Sequence, residues 1–205
     1  MFLAIDTSVG TSVAVVDREA VVLAEASTND TMRHAEVIGE LIRDVLAATA
    51  GASGVTAVAA GMGPGPFTGL RVGIAAARAF ALGVGCPVIP VLSHDAIARE
   101  WYRLGGESPV QIVTDARRRE SAVSSYRGCD RDGLPVRTDG PELWPVTGVP
   151  EGPGSRVSAT RVSAGDVGAL AALAVAANRL PLIEDTAVYL RSPDVTLPPA
   201  ARVRA

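Results

Sequence analysis

The chain has 205 residues, 48% of them hydrophobic and 20% charged, with a formal net charge of −3 at pH 7. This composition excludes a disordered or collagen-like chain, and it gives no overall pull toward nucleic acid, so any RNA contact would be local or supplied by a partner. Every one of the 19 lysine-plus-arginine positions is arginine, which removes Schiff-base chemistry, a lysine general base and the P-loop lysine, and otherwise reads as codon bias.

Residues 2–27 read as a three-strand meander. Phe2-Leu3-Ala4-Ile5 is a short buried strand, and Ser12 to Val16 and Ala20 to Ala24 follow, joined by the polar turn Asp17-Arg18-Glu19. Over 33–49 the apolar period becomes helical: Ile38, Leu41, Ile42, Val45 and Leu46 form one stripe, with Glu36, Glu40, Arg43 and Asp44 elsewhere. Thr56 to Ala60 is a strand. The segment Gly61-Met62-Gly63-Pro64-Gly65-Pro66-Phe67 then leads into a helix over 69–84, with Thr68 as its expected N-cap. Val88 to Val91 is a strand, and Ser93 is expected to cap a helix over about 94–104.

After Gly105-Gly106 the pattern partly restarts. Val110 to Thr114 is a strand running into Asp115, Ser121 to Tyr126 a second, and Leu134 to Val136 the start of a third. Residues 139–160, rich in Gly, Pro and Ser, read mostly as loop. Ser163 and Asp166 resemble a capping box for a helix reaching about Asn178. A short strand is expected over 187–190, followed by an irregular proline-containing tail. Strand-strand-strand-helix-strand-helix thus occurs once in full and once shortened, which argues for a duplicated α/β architecture with mixed sheets.

Several residue groups bear on chemistry. Asp6-Thr7-Ser8 follows the first strand and reads first as a turn that starts the hairpin; an acid and two hydroxyls there also suit a metal-bound phosphate. The glycine segment fits neither G-x-x-x-x-G-K-[ST] nor G-x-G-x-x-G. It offers either an anion cradle built from Gly63, Gly65 and Thr68 at a helix start, weakened by the missing N–H groups of Pro64 and Pro66, or a rigid strand-to-helix turn. His34 and His94 are the only histidines; Ile38 stands four residues after the first, so no His pair forms for zinc, and His34 reads as a helix-surface or interface residue. No Ser-His-Asp or Cys-His set assembles from them. Arg117-Arg118-Arg119, beside Asp115 and Glu120, reads as a solvated hairpin turn, with RNA phosphate as the alternative. Cys86 and Cys129 lie far apart and read as reduced thiols. Without a basic segment followed by an apolar one at the start, and with the apolar run 72–84 too short to span a bilayer, the chain is expected to be cytoplasmic and without a membrane contact.

The helix over 69–84 is the sharpest physical signal. Val72, Ile74, Phe80, Leu82, Val84 and many alanines cover its faces, and Arg71 and Arg78 are its only charges. Such a helix must be covered on most sides, both by the helix over 33–49 and by another chain. An arginine at Ala76 or Ala77 is expected to abolish that pairing.

Taken in order, Phe2-Leu3-Ala4-Ile5-Asp6-Thr7-Ser8, Gly63-Pro64-Gly65-Pro66-Phe67-Thr68-Gly69-Leu70-Arg71-Val72-Gly73, Asp115-Ala116-Arg117 and Tyr189-Leu190-Arg191 resemble the TsaB (YeaZ) family over about residues 2–192. The resemblance implies an actin-like ATPase (ribonuclease H-like) fold: a first lobe over 1–105, a second, shortened lobe over 106–192 and an irregular tail over 193–205. It implies a non-catalytic partner of the TsaD subunit, joined by the TsaE ATPase, for threonylcarbamoyl transfer to the anticodon-adjacent adenosine of tRNA. TsaD-type proteins bind metal through His-x-x-x-His; here Ile38 takes the second place, so no metal site and no catalytic residue is expected. The resemblance places His34, Ile38, Leu41, Arg71, Ile74, Ala77 and Arg78 at the partner interface, with a homodimer when the partner is absent and tRNA contact only through the complex. No cofactor is required by this chain, with room left for ATP or ADP at the complex interface. The alternatives are an actin-like ATPase or M22-type metallopeptidase acting alone through Asp6 and the glycine turn, or a small-molecule kinase with Asp115 as base.

Overall fold

Phe2–Asp6 (β1) and Thr11–Val16 (β2) are buried at every position, as strands covered on both faces must be. The computed structural model that shows this describes residues 1–30, 33–152 and 154–191; residue 192 and the tail over 193–205 lie outside the described residues. β2 lies antiparallel to β1, with Leu3 opposite Val15, and its other edge pairs with Val22–Thr28 (β3). Ala57–Gly61 (β4) runs parallel to β1, and Val88–Val91 (β5) parallel to β4, so the sheet is mixed with order β3-β2-β1-β4-β5. β3 starts later than the expected Ala20 because Ala20 is left-handed, φ 63°, and the Asp17 carboxylate accepts from the N–H groups of Glu19 and Val21, prolonging the turn.

Side chains alternate across this sheet. Leu3, Ile5, Val13 and Val15 face His34–Ala47 (α1) and Phe67–Val84 (α2), where they meet Ile38, Val45, Leu70, Ile74, Ala77 and Ala81. Phe2, Ala4, Ala14 and Val16 face the other way, toward Ala164–Ala176 (α4). α4 is buried along most of its length, more completely than α2, and it packs on the first sheet although it follows the second-lobe strands in the chain. Glu25 of β3 secures its start: one carboxylate oxygen accepts from Ser12 Oγ at 3.1 Å and Gly165 N at 3.2 Å, the other from Ser163 Oγ at 3.3 Å. Ser163 is the N-cap, accepting from Asp166 N at 3.1 Å. The reciprocal half of the expected capping box is absent, because the Asp166 carboxylate receives Arg99 and Arg103 of Ser93–Arg103 (α3) instead.

α3 and α4 lie between the first sheet and a second one, built from Val110–Asp115 (β6), Glu120–Cys129 (β7), Pro135–Pro145 (β8) and Ser155–Ala159 (β9) in the order β8-β7-β6-β9, with β9 parallel to β6. Two expectations fail here. Residues 139–160 are not mostly loop: β8 continues to Pro145 and β9 adds a full edge strand. Gly140 and Pro141 fall at a register shift between β7 and β8, an irregularity within pairing rather than a loop. Nor do residues 187–190 form a strand; they belong to an extended strap over α2, held by one backbone bond, Val188 N to Met62 O at 2.7 Å.

The caps also differ from expectation. α2 starts at Phe67 with Pro66 as N-cap, and Thr68 is exposed in the first turn. The fixed φ of proline suits a helix entry, and Pro66 sits at −61°. Leu92, not Ser93, caps α3. α2 is also the one helix among the described residues long and apolar enough to cross a membrane by length and composition, a test that helices of globular cores pass as well.

Candidate functional site

The end of β1 and the glycine turn meet in a buried knot. Asp6 Oδ1 accepts from Ser8 N at 2.8 Å and from Ser8 Oγ at 2.6 Å, and Oδ2 accepts from Ser93 Oγ at 2.6 Å. Ser93 Oγ in turn accepts from Gly63 N at 3.1 Å, and Ser93 N donates to Gly63 O at 2.8 Å. Thr7 Oγ1 donates to Gly69 O at 2.7 Å. Burial pushes the Asp6 carboxyl above its usual range, even though the donors from Ser8 and Ser93 pull the other way. Asp6, Thr7, Ser8 and Gly63, read as part of a phosphate site, therefore bond within the knot, whereas Gly65 and Thr68 line the cavity between the lobes.

The glycines explain the knot. A side chain at Gly61 would overlap the Asp6 carboxylate, and one at Gly73 the Thr7 hydroxyl; at Gly65 a Cβ would lie 2.8 Å from Ser8 Cα, and at Gly69 2.7 Å from Thr7 O. The positions 61, 65, 69 and 73 are thus kept small by the Asp6-Thr7-Ser8 segment rather than by an anion. Only Gly63 needs glycine for its backbone, at φ +96°.

His34 is not on the surface. It is buried, with Nδ1 2.8 Å from Thr11 Oγ1. Ile38, Ile74 and Ala77 are buried too, inside the chain's own core, and Leu41 is half-buried. Arg71 and Arg78 are exposed. Arg71 lies 5.7 Å from the ring centres of both Phe67 and Tyr189, and Arg78 pairs with Asp185 at 2.9 Å, so both arginines hold the strap. The outward stripe of α2 consists of Arg71, Ala75, Arg78, Ala79 and Leu82, and Leu82 is 84% exposed. Beside it α1 presents Glu36, Gly39, Glu40 and Arg43.

Sequence reasoning missed a second buried network. His94 has no exposed surface; its Nδ1 lies 2.8 Å from Ser124 Oγ and its Nε2 2.9 Å from Thr114 Oγ1. Burial, aided by the positive charge of Arg137, lowers its pKa to about 3. Next to it Tyr126 donates to Asp95 at 2.7 Å, and burial raises the Asp95 carboxyl. A serine, a histidine and an aspartate stand consecutively at 93–95, but each side chain bonds elsewhere, so they form no relay. The only signal in the sequence was the polar tripeptide itself at a helix start.

A cavity of about 260 Å³ opens between the lobes, lined by Gly65, Phe67, Asp115, Arg118, Leu143 and Tyr189 among others. Its hairpin wall is unusual: Arg117, Arg118 and Arg119 are all left-handed, with φ of 65°, 54° and 60°, a conformation that costs roughly 1–2 kcal/mol per non-glycine residue. The turn is held by Asp115 accepting from Arg117 N, by Glu120 N on Arg117 O, and by Arg191, which donates to Arg117 O and pairs with Glu120. Among the described residues no group of three or more His, Cys, Asp and Glu comes together as a metal would require.

Two mixed sheets with helices between and outside them define an actin-like ATPase fold. The family model for TsaD, tRNA N6-adenosine threonylcarbamoyltransferase, matches residues 21–136. The chain is similar to YeaZ from Pseudomonas aeruginosa, with a TM-score of 0.79 and 26% identity over 92% of this chain and 99% of that one. An uncharacterized protein of Mycobacterium tuberculosis is 42% identical over 164 residues, 76% of this chain and 70% of the relative. The Escherichia coli protein named tRNA threonylcarbamoyladenosine biosynthesis protein TsaB is 36% identical over 103 residues, 49% of this chain and 44% of the relative. The chain belongs to the TsaB (YeaZ) family.

Proposed function

We propose that this chain is a non-catalytic subunit in tRNA threonylcarbamoyladenosine biosynthesis, pairing with a TsaD-type catalytic subunit through the outer face of α1 and α2. The observation that carries this is the outward stripe of α2. Ala75, Ala79 and Leu82 are exposed at helical spacing on an 18-residue helix, small enough for a second helix to pack closely. A TsaE-type ATPase joins the pair, ATP or ADP binds at the complex interface rather than in this chain alone, and tRNA is contacted through the complex in the cytoplasm. In the absence of the partner the same stripe pairs with a second copy. The self-bonded state of Asp6 and Ser8 supports a scaffold over an independent ATPase or peptidase, since no side chain there is left to hold a nucleophile or a metal-bound phosphate.

The test uses the outward residues. Ala77 is fully buried in this chain's core, so an arginine there would unfold the chain and say nothing of pairing. Ala79→Arg or Leu82→Arg instead is expected to weaken pull-down of the TsaD-type subunit by about 3–5 kcal/mol, because a charge would be buried unpaired, with chain stability changed by less than about 0.5 kcal/mol. The wild-type chain is expected to raise modified tRNA above the level of the TsaD-type subunit alone. Unchanged pairing in folded variants, or no added product, would sink the reading.

A further inference from the structure

The first turn of α3 is where the two lobes meet chemically. Ser93 bonds only to the first lobe, through Asp6 and the glycine turn. His94 bonds only to the second, its two ring nitrogens set against Ser124 of β7 and Thr114 of β6. Asp95 accepts from Tyr126 of β7, with the charge of Arg137 from β8 nearby. Ser93, His94, Ser124, Thr114 and Tyr126 are all buried, and among the described residues no buried side-chain nitrogen or oxygen lacks a partner. Further along α3, Arg99 and Arg103 reach Asp166 of α4, which is itself packed on the first sheet. A second crossing lies on the far side of the cleft, where the strap joins α2, through the Tyr189 ring packed at a tilt against Phe67 with centroids 4.6 Å apart, to the 115–120 hairpin, through Arg191.

We propose that the Ser93-His94-Asp95 turn clamps the two lobes at one fixed angle, so that the cleft between the glycine turn and the 115–119 hairpin does not open and close. Hinged domains move by changing a few backbone angles at segments that make few contacts. Here the crossing residues are buried, and rotation would break the bonds of Ser93 to Asp6, of His94 to Ser124 and Thr114 and of Tyr126 to Asp95 where no water can replace them. The chain then works as a rigid block, and its fixed shape is what it presents to other molecules. This inference concerns lobe motion and stands whether or not the α1–α2 face pairs with a TsaD-type subunit.

Spin labels at Glu19→Cys in the β2–β3 turn and Asp139→Cys on β8, with Cys86 and Cys129 replaced by serine and the labelled chain diluted in unlabelled chain so that no pair of copies carries two sets of labels, report the interlobe distance by pulsed electron resonance; both labelled positions are exposed. The expected result is one narrow distribution, unchanged by adding magnesium and ATP. Ser93→Ala, which removes the hydroxyl bonds to Asp6 and Gly63 N, and His94→Ala, which removes the imidazole bonds to Ser124 and Thr114, are expected to broaden it in protein that retains its near-ultraviolet dichroism. Should His94→Ala not fold, Tyr126→Phe keeps the ring and removes only the hydroxyl on Asp95, and is expected to broaden the distribution as well. A wild-type distribution that is already broad, one that shifts with magnesium and ATP, or folded variants that keep the wild-type width would overturn the clamp.

Discussion

Gly61, Gly65, Gly69 and Gly73 fall four residues apart, and each faces an atom of Asp6, Thr7 or Ser8. A motif rich in glycine invites a ligand; here the occupant is the chain's own first loop. The spacing was visible in the sequence, but the identity of what fills it was not, because Asp6 and Gly61 meet only once β1 and β4 are paired. Gly73→Ala is expected to destabilise the chain by about 1–3 kcal/mol in urea denaturation, since the new methyl group would displace a Thr7 hydroxyl already bonded to Gly69 O. A stability within error of wild type would mean that Thr7 can move aside. His34 shows the same limit at this scale. Its place at the start of a helix looked superficial, yet it turns inward to Thr11, a partner from a strand more than twenty residues earlier.

At the scale of elements, periodicity located α1, α2, α3 and α4 and the central strands to within a few residues, because each carries an uninterrupted apolar pattern. The misjudged segments are those whose pattern is broken. β8, which carries Gly and Pro, and β9, which follows Gly152 and Gly154, are half-exposed edge strands, so they look like loop until pairing is seen. The strap over α2 looks like a strand because Ala187-Val188-Tyr189-Leu190 is apolar, but Ala187 and Val188 pack against the helix-side core, Tyr189 meets Phe67 and Leu190 lines the cavity. Asp166 likewise looked like part of a local cap. Its carboxylate, 2% exposed, receives Arg99, which is 14% exposed, and the more exposed Arg103. Asp166→Ala is expected to cost about 3–5 kcal/mol, because Arg99 would be left largely buried without its partner. Thermal unfolding of that variant beside Arg103→Ala separates the buried pair from the exposed one, the latter costing about 1 kcal/mol or less.

For the whole molecule, the buried polar groups set an acid limit to stability. His94 is neutral in the fold, with a pKa lowered from 6.5 to about 3. A depressed folded pKa means that its contribution is complete above pH 6.5 and is lost as the pH falls toward about 3. Asp6 and Asp95, whose carboxyls are raised by burial, act in the opposite sense: they favour the fold at low pH and less so as the pH rises through their folded values. His94→Gln is therefore expected to flatten the loss of stability on acidification, measured as urea midpoints from about pH 7 down to about pH 4. A slope equal to that of the wild type would show that other groups govern the acid limit.

Length, composition and the order of apolar patterns by themselves determined an α/β chain built from one full and one shortened unit, with an outer helix too apolar to stand in water; these are properties of consecutive residues. The motifs, in their order, also pointed to the family. Tertiary structure alone decided that α4 returns to the first sheet, that Asp6 and the glycine turn bond to each other, that Ala75, Ala79 and Leu82 rather than Ala77 face outward, and that α3 ties both lobes together. The reason is physical. Burial and hydrogen-bond pairing across dozens of residues depend on which faces the packed sheets leave open, and a linear pattern records which residues are apolar without recording what covers them.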